Sequence, residues 1–249
     1  MSSPENSRTL SKLETVAFSG PDGTGKTSCA NIIAKIFSKR GFNIKRAWIK
    51  NVHTVAIVAM MLMEKLSYRH VVRSTSGTYV TSSLSRYKSA WLWLSFIGVV
   101  IKFLPMRIST ILLGKLARRP ILVIADRYIL DSMVHILISE IFLNMRNNIV
   151  DLKEAILSYV NSIPLKIMRS LLIKSSMTVV LNGDVAELIE RNKKAGKPDP
   201  YWYMTLQKYL YRVFIKILGI PYVYIDTSKK PLNKVCTEVL AGLMEKVAK

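Results

Sequence analysis

Apolar residues along the chain occur in two patterns, which predict alternating strands and helices. Short continuous runs of β-branched, aliphatic and aromatic residues predict five strands, at residues 15–19, 42–49, 121–125, 177–181 and 222–225. The run at 121–125 contains no polar residue, which is typical of a central parallel strand buried on both faces. Because helical stretches separate the strands, the pattern predicts an α/β fold of three layers, with a central parallel sheet of about five strands flanked by helices.

Stretches with helical spacing lie between these runs. They predict helices at residues 28–40, 51–63, 90–104, 130–144, 151–161, 164–174, 184–191, 201–218 and 231–246. We find no internal repeat and no change of composition that would mark a boundary. Residues 1–249 are therefore expected to form a single domain with a polar tail at 1–12. The segment 66–88 is rich in Ser, Thr, Tyr and Arg, and is either a solvated connection or the wall of a second anion pocket.

The helix predicted at 90–104 is apolar enough to resemble a membrane span. It is interrupted by Lys102 and reaches Pro105 after 15 residues, whereas a span needs about 20 apolar residues. We therefore expect a buried helix. Its aromatic start and the positive charge of the chain leave room for a weak peripheral membrane contact.

The strongest chemical signal follows the first predicted strand, where Gly-Pro-Asp-Gly-Thr-Gly-Lys-Thr occupies residues 20–27. Glycines in such a loop allow successive backbone N–H groups to point into one concavity, which binds anions at the start of the next helix. Lys26 is placed to reach the β- and γ-phosphates, and the Thr27 hydroxyl to bind Mg²⁺. The predicted nucleotide contacts are Gly20, Pro21, Asp22, Gly23, Thr24, Gly25, Lys26, Thr27 and Ser28.

A second polar group follows the strand at 121–125, where Asp126, Arg127 and Tyr128 occur in succession. Ligands of open parallel sheets bind beyond the carboxyl ends of the strands. An acid and a base at this point therefore face the phosphate loop if the two strands are neighbours. Otherwise the pair is a helix cap beside a surface arginine.

Four basic residues lie in the segment 191–202, which continues from a helix whose start is predicted as a capping box at Asp184 and Glu187. The basic residues are Arg191, Lys193, Lys194 and Lys197, and two prolines follow them. This composition predicts a mobile lid that closes on negative charge, with a solvated basic loop as the alternative.

The charge balance of the chain indicates anionic partners. Lys and Arg total 37 against 16 Asp and Glu, a formal net charge of +21. The basic residues are dispersed, with no run of five or more, so no specific nucleic-acid partner is expected. Cys29 and Cys236 have no metal-binding spacing, and the N-terminus lacks the apolar segment of a secretory signal. We therefore expect a cytoplasmic protein with reduced cysteines.

Four motifs in this order resemble the thymidylate kinase family of P-loop nucleoside monophosphate kinases. They are residues 20–27, Asp126-Arg127-Tyr128 with Ser132, Leu181-Asn182-Gly183-Asp184 leading to Arg191, and Tyr224-Ile225-Asp226-Thr227-Ser228. The resemblance implies a P-loop NTPase fold and transfer of the ATP γ-phosphoryl group to a nucleoside monophosphate, foremost dTMP to dTDP, with ATP and Mg²⁺ as cofactors. It also suggests a homodimer, because family members often pair through helices.

The resemblance also assigns roles. It implies catalytic roles for Lys26, Asp126, Arg127 and Arg191, with Thr27 and Asp126 at the metal and Asp226 and Thr227 beside the adenine. The predicted acceptor contacts are Asp22, Arg73, Arg86, Arg127 and Tyr128. Gly23 stands where some members carry an arginine, so the charge would come from the lid.

The chain departs from the family after the second strand. Members usually carry a Glu-Pro-Gly or Pro-x-Arg segment that helps to build the acceptor pocket, and neither occurs between Arg46 and Tyr68. Two alternatives therefore remain open: a kinase on the same scaffold for another nucleotide or a nucleoside, and a nucleotide-binding protein without turnover.

Overall fold

The computed structural model describes residues 15–49, 71–73, 79–81, 88–116, 121–145, 152–170, 176–197 and 199–248. The strands are β1 Thr15–Ser19, β2 Asn43–Ala47, β3 Val71–Arg73, β4 Tyr79–Thr81, β5 Ile121–Asp126, β6 Ser176–Asn182 and β7 Tyr222–Asp226. The helices are α1 Lys26–Lys39, α2 Lys88–Leu116, α3 Ile129–Met145, α4 Leu152–Asn161, α5 Ile163–Ser170, α6 Val185–Lys194, α7 Tyr201–Leu218 and α8 Leu232–Ala248. The tail predicted at 1–12, the helix predicted at 51–63, and Arg86 lie outside the described residues.

Five strands form one parallel sheet in the order β2-β5-β1-β6-β7, which confirms the predicted fold class. All five predicted strands are present. Strand β1 is central, and Ala17 pairs with Ala125 of β5 on one side and Thr178 of β6 on the other. The loop that follows β1 therefore lies in the middle of the carboxyl edge of the sheet.

Two hydrophobic clusters cover the two faces of the sheet. One packs α1 and α8 against alternate residues such as Val16, Phe18 and Leu122. The other packs α2 to α7 against the residues that point the opposite way, including Ala17 and Ala125. The continuous apolar strands predicted from the sequence thus have helices on both sides.

A short antiparallel hairpin lies within the polar segment 66–88, where no strand was predicted. Val72 of β3 pairs with Val80 of β4, and Arg73 pairs with Tyr79. The β-branched pair explains the local conformation, and β4 contacts α3. This segment therefore contains regular structure and is not wholly an irregular connection.

Helix α2 is longer than predicted, and the expectation that it ends at Pro105 is wrong. It begins at Lys88 and continues through Pro105 to Leu116. Phe103 is buried and Met106 packs against the same core, so the helix has apolar core contacts on both sides of the proline. Hydroxyl groups of Ser109 and Thr110 donate to the carbonyl of Met106 in the turn after the proline.

The expectation that this helix is buried is wrong for its outward face. Phe96, Val99 and Phe103 pack inward. In contrast, the segment Trp93–Leu112, which is long and apolar enough to cross a membrane by length and composition alone, is 22% buried. Seven large apolar side chains of this segment are exposed, because the core contacts only one side of the helix. They are Trp93, Ile97, Ile101, Leu104, Ile108, Ile111 and Leu112.

Candidate active site

The loop between β1 and α1 is shaped by two glycines with close neighbours. Gly20 has φ 137°, and a Cβ added there would lie 2.0 Å from the Leu181 carbonyl oxygen of β6. Gly23 has φ 82°, and a Cβ there would lie 2.7 Å from Asn192 Oδ1 and 3.0 Å from the Leu188 carbonyl oxygen of α6. Only glycine fits at either position. Gly23 is therefore required by α6 above it as well as by the turn.

The N-terminus of α1 opens into this loop without a cap. Gly25 is left-handed, no side chain caps the helix, and its first turn contains no acidic residue. The first N–H groups and the positive end of the helix dipole are therefore available to an anion.

Lys26 is buried beside the loop. Its ammonium donates to the carbonyl oxygens of Gly20 at 2.8 Å and Pro21 at 2.6 Å. Burial and the neighbouring Arg127 guanidinium lower the pKa of Lys26 to about 8, although the Asp22 carboxylate opposes this change. The site therefore makes protonation of Lys26 less favourable than it is in water, and an incoming anion would oppose this effect.

Thr27 and Asp126 form the second polar pair of the site. The Thr27 hydroxyl donates to Asp126 Oδ2 at 2.6 Å, and Asp126 Oδ1 is buried with no hydrogen-bond partner in the part of the chain that the structure describes. A hydroxyl and a carboxylate are hard oxygen ligands of the kind that Mg²⁺ prefers. Among the described residues no group of three or more His, Cys, Asp or Glu could hold a metal. These two residues therefore suit Mg²⁺ only with phosphate and water as its other ligands.

Arg127 completes the contacts around Asp22. It has φ 74°, uncommon for a non-glycine residue, and its Nη2 donates to Asp22 Oδ1. Its Nη1 is buried and has no partner among the described residues. Burial alone would lower the pKa of Arg127, but the carboxylates of Asp22 and Asp131 outweigh it and raise that pKa above its ordinary value. The guanidinium is thus a charged donor with one nitrogen still to be satisfied.

Asp131 is a site residue that the sequence reasoning missed. Its carboxylate is fully buried and accepts hydrogen bonds from Ser19 Oγ at 2.6 Å, Tyr211 Oη at 2.8 Å and the Tyr128 backbone N–H at 3.0 Å. Burial and the Asp131 charge raise the pKa of Tyr211 well above its ordinary value. The available sequence signal was an acid in the first turn of a helix, which indicates a cap but not its partners on β1 and α7.

The start of the predicted lid packs against the loop. Asn192 is buried over Gly23 and donates to Asp199 Oδ2 at 2.9 Å. From the next helix, Gln207 Oε1 accepts the backbone N–H of Asp22 at 3.2 Å. The basic side chains of the segment, Lys193, Lys194 and Lys197, are exposed. Whether the segment moves stays a prediction.

Arg191 is held by residues outside the phosphate loop. It donates to Glu187 Oε1 at 2.6 Å and to the Thr227 carbonyl oxygen at 3.0 Å. The Asp184 side chain caps α6 as predicted, but its own N–H donates to Ser228 Oγ, so the reciprocal bond from Glu187 that a capping box requires is replaced. The structure therefore joins Arg191 to the segment after β7.

That segment begins with Asp226, whose carboxylate accepts from the hydroxyl and backbone N–H of Ser228. These two hydrogen bonds lower the pKa of Asp226. Thr227 is buried and bonds the Asn182 carbonyl oxygen at the end of β6. Asp226 and Thr227 therefore lie on the same edge of the sheet as the loop, and their contact with adenine stays a prediction.

The predicted acceptor residues are placed unevenly. Asp22 and Arg127 meet at the loop. Tyr128 is 1% exposed and packs against Phe103, so its side chain belongs to the core in this structure. Arg73 lies on β3 in the hairpin. Acceptor contacts of Arg73, Arg86 and Tyr128 stay predictions.

A five-stranded parallel sheet flanked by helices, with a glycine-rich loop between its central strand and α1, is the three-layer P-loop NTPase fold that the sequence predicted. Searches of protein-family models and of curated proteins each find no match. Among solved structures, deoxyadenosine kinase from M. mycoides with bound dATP is 15% identical, with a TM-score of 0.52, covering 92% of this chain and 98% of that chain. The same enzyme with products dCMP and dCDP is 17% identical, with a TM-score of 0.48, covering 93% and 99%. At these identities the likeness shows the fold.

Because the pKa of Lys26 is lowered in the folded protein, the free-energy cost of burying this side chain should depend on pH. Its ordinary pKa is 10.5, so the unfolded chain binds more protons than the folded one between pH 8 and 10.5, and this residue's contribution to the free energy of unfolding rises with pH there. The gap corresponds to about 3 kcal/mol at most. Urea unfolding of wild type and Lys26→Met should show the variant's relative stability falling by about 1–3 kcal/mol between pH 7 and 10. A difference that does not change with pH would contradict this assignment.

Loss of the Asp131 charge should destabilise the fold. Asp131→Asn should lower the free energy of unfolding by about 2–4 kcal/mol, because Ser19, Tyr128 and Tyr211 all donate to this carboxylate. Tyr211→Phe is the control: it removes one donor and should cost about 1 kcal/mol. Chemical unfolding monitored by tryptophan fluorescence measures both, and equal small losses would show that the carboxylate does not hold these elements together.

Proposed function

We propose that this protein is an ATP-dependent kinase that phosphorylates a nucleoside monophosphate, with dTMP as the foremost acceptor. One observation carries the proposal: the loop cation Lys26, the Thr27–Asp126 pair and the Asp22–Arg127 pair converge at the carboxyl ends of the adjacent strands β1 and β5. These are the groups that phosphoryl transfer needs to hold two phosphates in line and to neutralise their charge. The dATP bound by the solved neighbour supports nucleotide binding on this fold.

The loop and Lys26 are assigned to the triphosphate. The carbonyl oxygens of Gly20 and Pro21 now accept the Lys26 ammonium, and phosphate oxygens would replace them as stronger, charged acceptors. Thr27 and Asp126 would hold Mg²⁺, which supplies positive charge to the phosphates when bound. Ligands that replaced the hydrogen bond between Thr27 and Asp126 would also give a partner to Asp126 Oδ1, which has none among the described residues.

Arg127 is assigned to the acceptor side of the reaction. Its Nη2 is held by Asp22, so Nη1 is the nitrogen available for an acceptor phosphate and for the group in transfer. A buried donor without a partner costs about 1–3 kcal/mol, and an anionic oxygen is its best partner. The unpaired guanidinium nitrogen favours an acceptor that already carries a phosphate. Asp22 would then face the acceptor sugar.

Arg191 can supply charge to the transferring group only after it leaves Glu187 and Thr227. We propose that nucleotide binding beside Asp226 and Thr227 disturbs these contacts and turns the guanidinium toward the phosphates. The side chains of Arg191 and Glu187 are 32% and 30% exposed, so loss of their ion pair costs little. The lid would thereby complete the site only when the nucleotide is in place.

The second candidate is phosphorylation of a nucleoside. Two observations favour it: the solved neighbour with this fold is a deoxyadenosine kinase, and the acceptor segment of thymidylate kinases is missing after β2. In that case Asp22 would meet the acceptor hydroxyl directly, and Arg127 would contact only the donor phosphates.

A panel of acceptors separates these candidates. ATP consumption should be stimulated by nucleoside monophosphates, and most by dTMP, with nucleosides inactive. Arg127→Ala should lower kcat by about 10²–10³-fold with a smaller effect on ATP binding, because its charge is most useful in the transition state. Arg40→Ala, a basic residue outside the site, is the control and should leave kcat unchanged. Stimulation by nucleosides alone would favour the second candidate, and no stimulation by any acceptor would refute kinase activity.

Arg191→Ala should lower kcat by about 10²-fold or more while ATP affinity changes much less. Lys193→Ala is the matched control, because Lys193 is an exposed basic residue of the same segment and should have a small effect. Limited proteolysis at Lys193 and Lys194 should slow when ATP and acceptor are both present. Wild-type kcat for Arg191→Ala together with unchanged cleavage would leave this segment a solvated basic loop.

A further inference from the structure

The outward face of α2 is an apolar stripe that the kinase site does not explain. Every exposed residue between Trp93 and Leu112 is apolar, and the large ones recur every three or four positions. We call the residues Trp93, Ile97, Ile101, Leu104, Ile108, Ile111 and Leu112 the α2 stripe. At 1.5 Å per residue it extends about 30 Å. A contiguous exposed apolar surface of this length marks an interaction site.

All the charged residues of α2 are basic. The helix contains Lys88, Lys102, Arg107 and Lys115, and no Asp or Glu. The Lys102 ammonium lies 5.0 Å from the ring centroid of the half-exposed Trp48 at the end of β2. Lys45 of β2 reaches Ser109 of the same helix. The stripe is therefore accompanied by lysines on the helix and on the neighbouring edge strand.

We propose that the α2 stripe docks this protein peripherally onto a membrane surface that contains anionic lipid. The apolar side chains enter the boundary between headgroups and acyl chains, and the basic residues contact lipid phosphates. The helix lies in the plane of the surface, because Phe96, Val99 and Phe103 remain packed in the core. This proposal stands independently of the kinase activity.

Charge decides between a membrane and a second copy of the chain. Two copies that met through α2 would each bring basic residues to the same rim, with a net charge of +21 apiece. An anionic surface attracts that charge, whereas a second copy repels it. The stripe also offers no charged residue that could pair with one on a second copy.

Vesicle binding tests the proposal with the 249-residue chain. The wild type should co-sediment with vesicles of phosphatidylcholine containing 30% phosphatidylglycerol, and much less with pure phosphatidylcholine. The variant Ile101→Ser/Ile108→Ser carries no charge change and should bind the anionic vesicles about tenfold or more weakly, because it removes apolar area from the centre of the stripe. High salt should weaken wild-type binding.

The control is Tyr209→Ser/Tyr222→Ser, which removes two exposed aromatic residues outside α2. Tyr222 lies on β7, at the opposite edge of the sheet from β2. The control should bind like the wild type, and thermal melting should show both double variants folded. Equal binding by wild type and the Ile101/Ile108 variant would refute docking through the stripe. A wild-type dimer in light scattering that the same variant converts to a monomer, without vesicle binding, would show that a second copy occupies this face.

Discussion

A buried carboxylate needs hydrogen-bond donors on its neighbours in place of water, and Asp131 is such a carboxylate in this protein. Its three hydrogen bonds come from the central strand, from the turn after β5 and from α7. Those elements carry the phosphate loop, Arg127 and Gln207 respectively. Because an unpaired buried charge is costly, the three elements can move apart only at a large energetic cost. The relative placement of the loop, Arg127 and Gln207 thus depends on a residue to which we assign no ligand contact.

The site itself is close to a balance of charges before any ligand is present. Lys26 and Arg127 supply two cations, and Asp22, Asp126 and Asp131 surround them with carboxylates. Asp22 lies near both cations, 3.7 Å from the Lys26 ammonium and in direct contact with Arg127. Phosphates bound as we propose would bring several negative charges into this arrangement and would draw both cations away from Asp22. The ion pairs with Asp22 therefore keep Lys26 and Arg127 buried and oriented, and leave both cations able to bind an anion.

The sequence predicted the sheet and the loop because their signals are local. Apolar runs and helical spacing located all five strands of the sheet, and the glycine pattern located the loop between β1 and α1. Other features depend on contacts distant in sequence. Asp131 bonds Ser19 and Tyr211, which are 112 and 80 residues away. Arg191 is held by Thr227, and the outward face of α2 is exposed because the core ends there. Local patterns carry no information about these partners.

Gly23 and Asn192 have a consequence for how such a protein could change over generations. An arginine at position 23 would place its Cβ 2.7 Å from the Asn192 side chain and 3.0 Å from the backbone of α6. A smaller residue at 192 would remove the first clash but leave the second, which requires the helix itself to shift. Position 23 is therefore restricted to glycine while α6 packs on the loop, since no single substitution elsewhere makes room for a side chain there. In any lineage that keeps this packing, a side chain can appear at position 23 only if the loop and α6 change together.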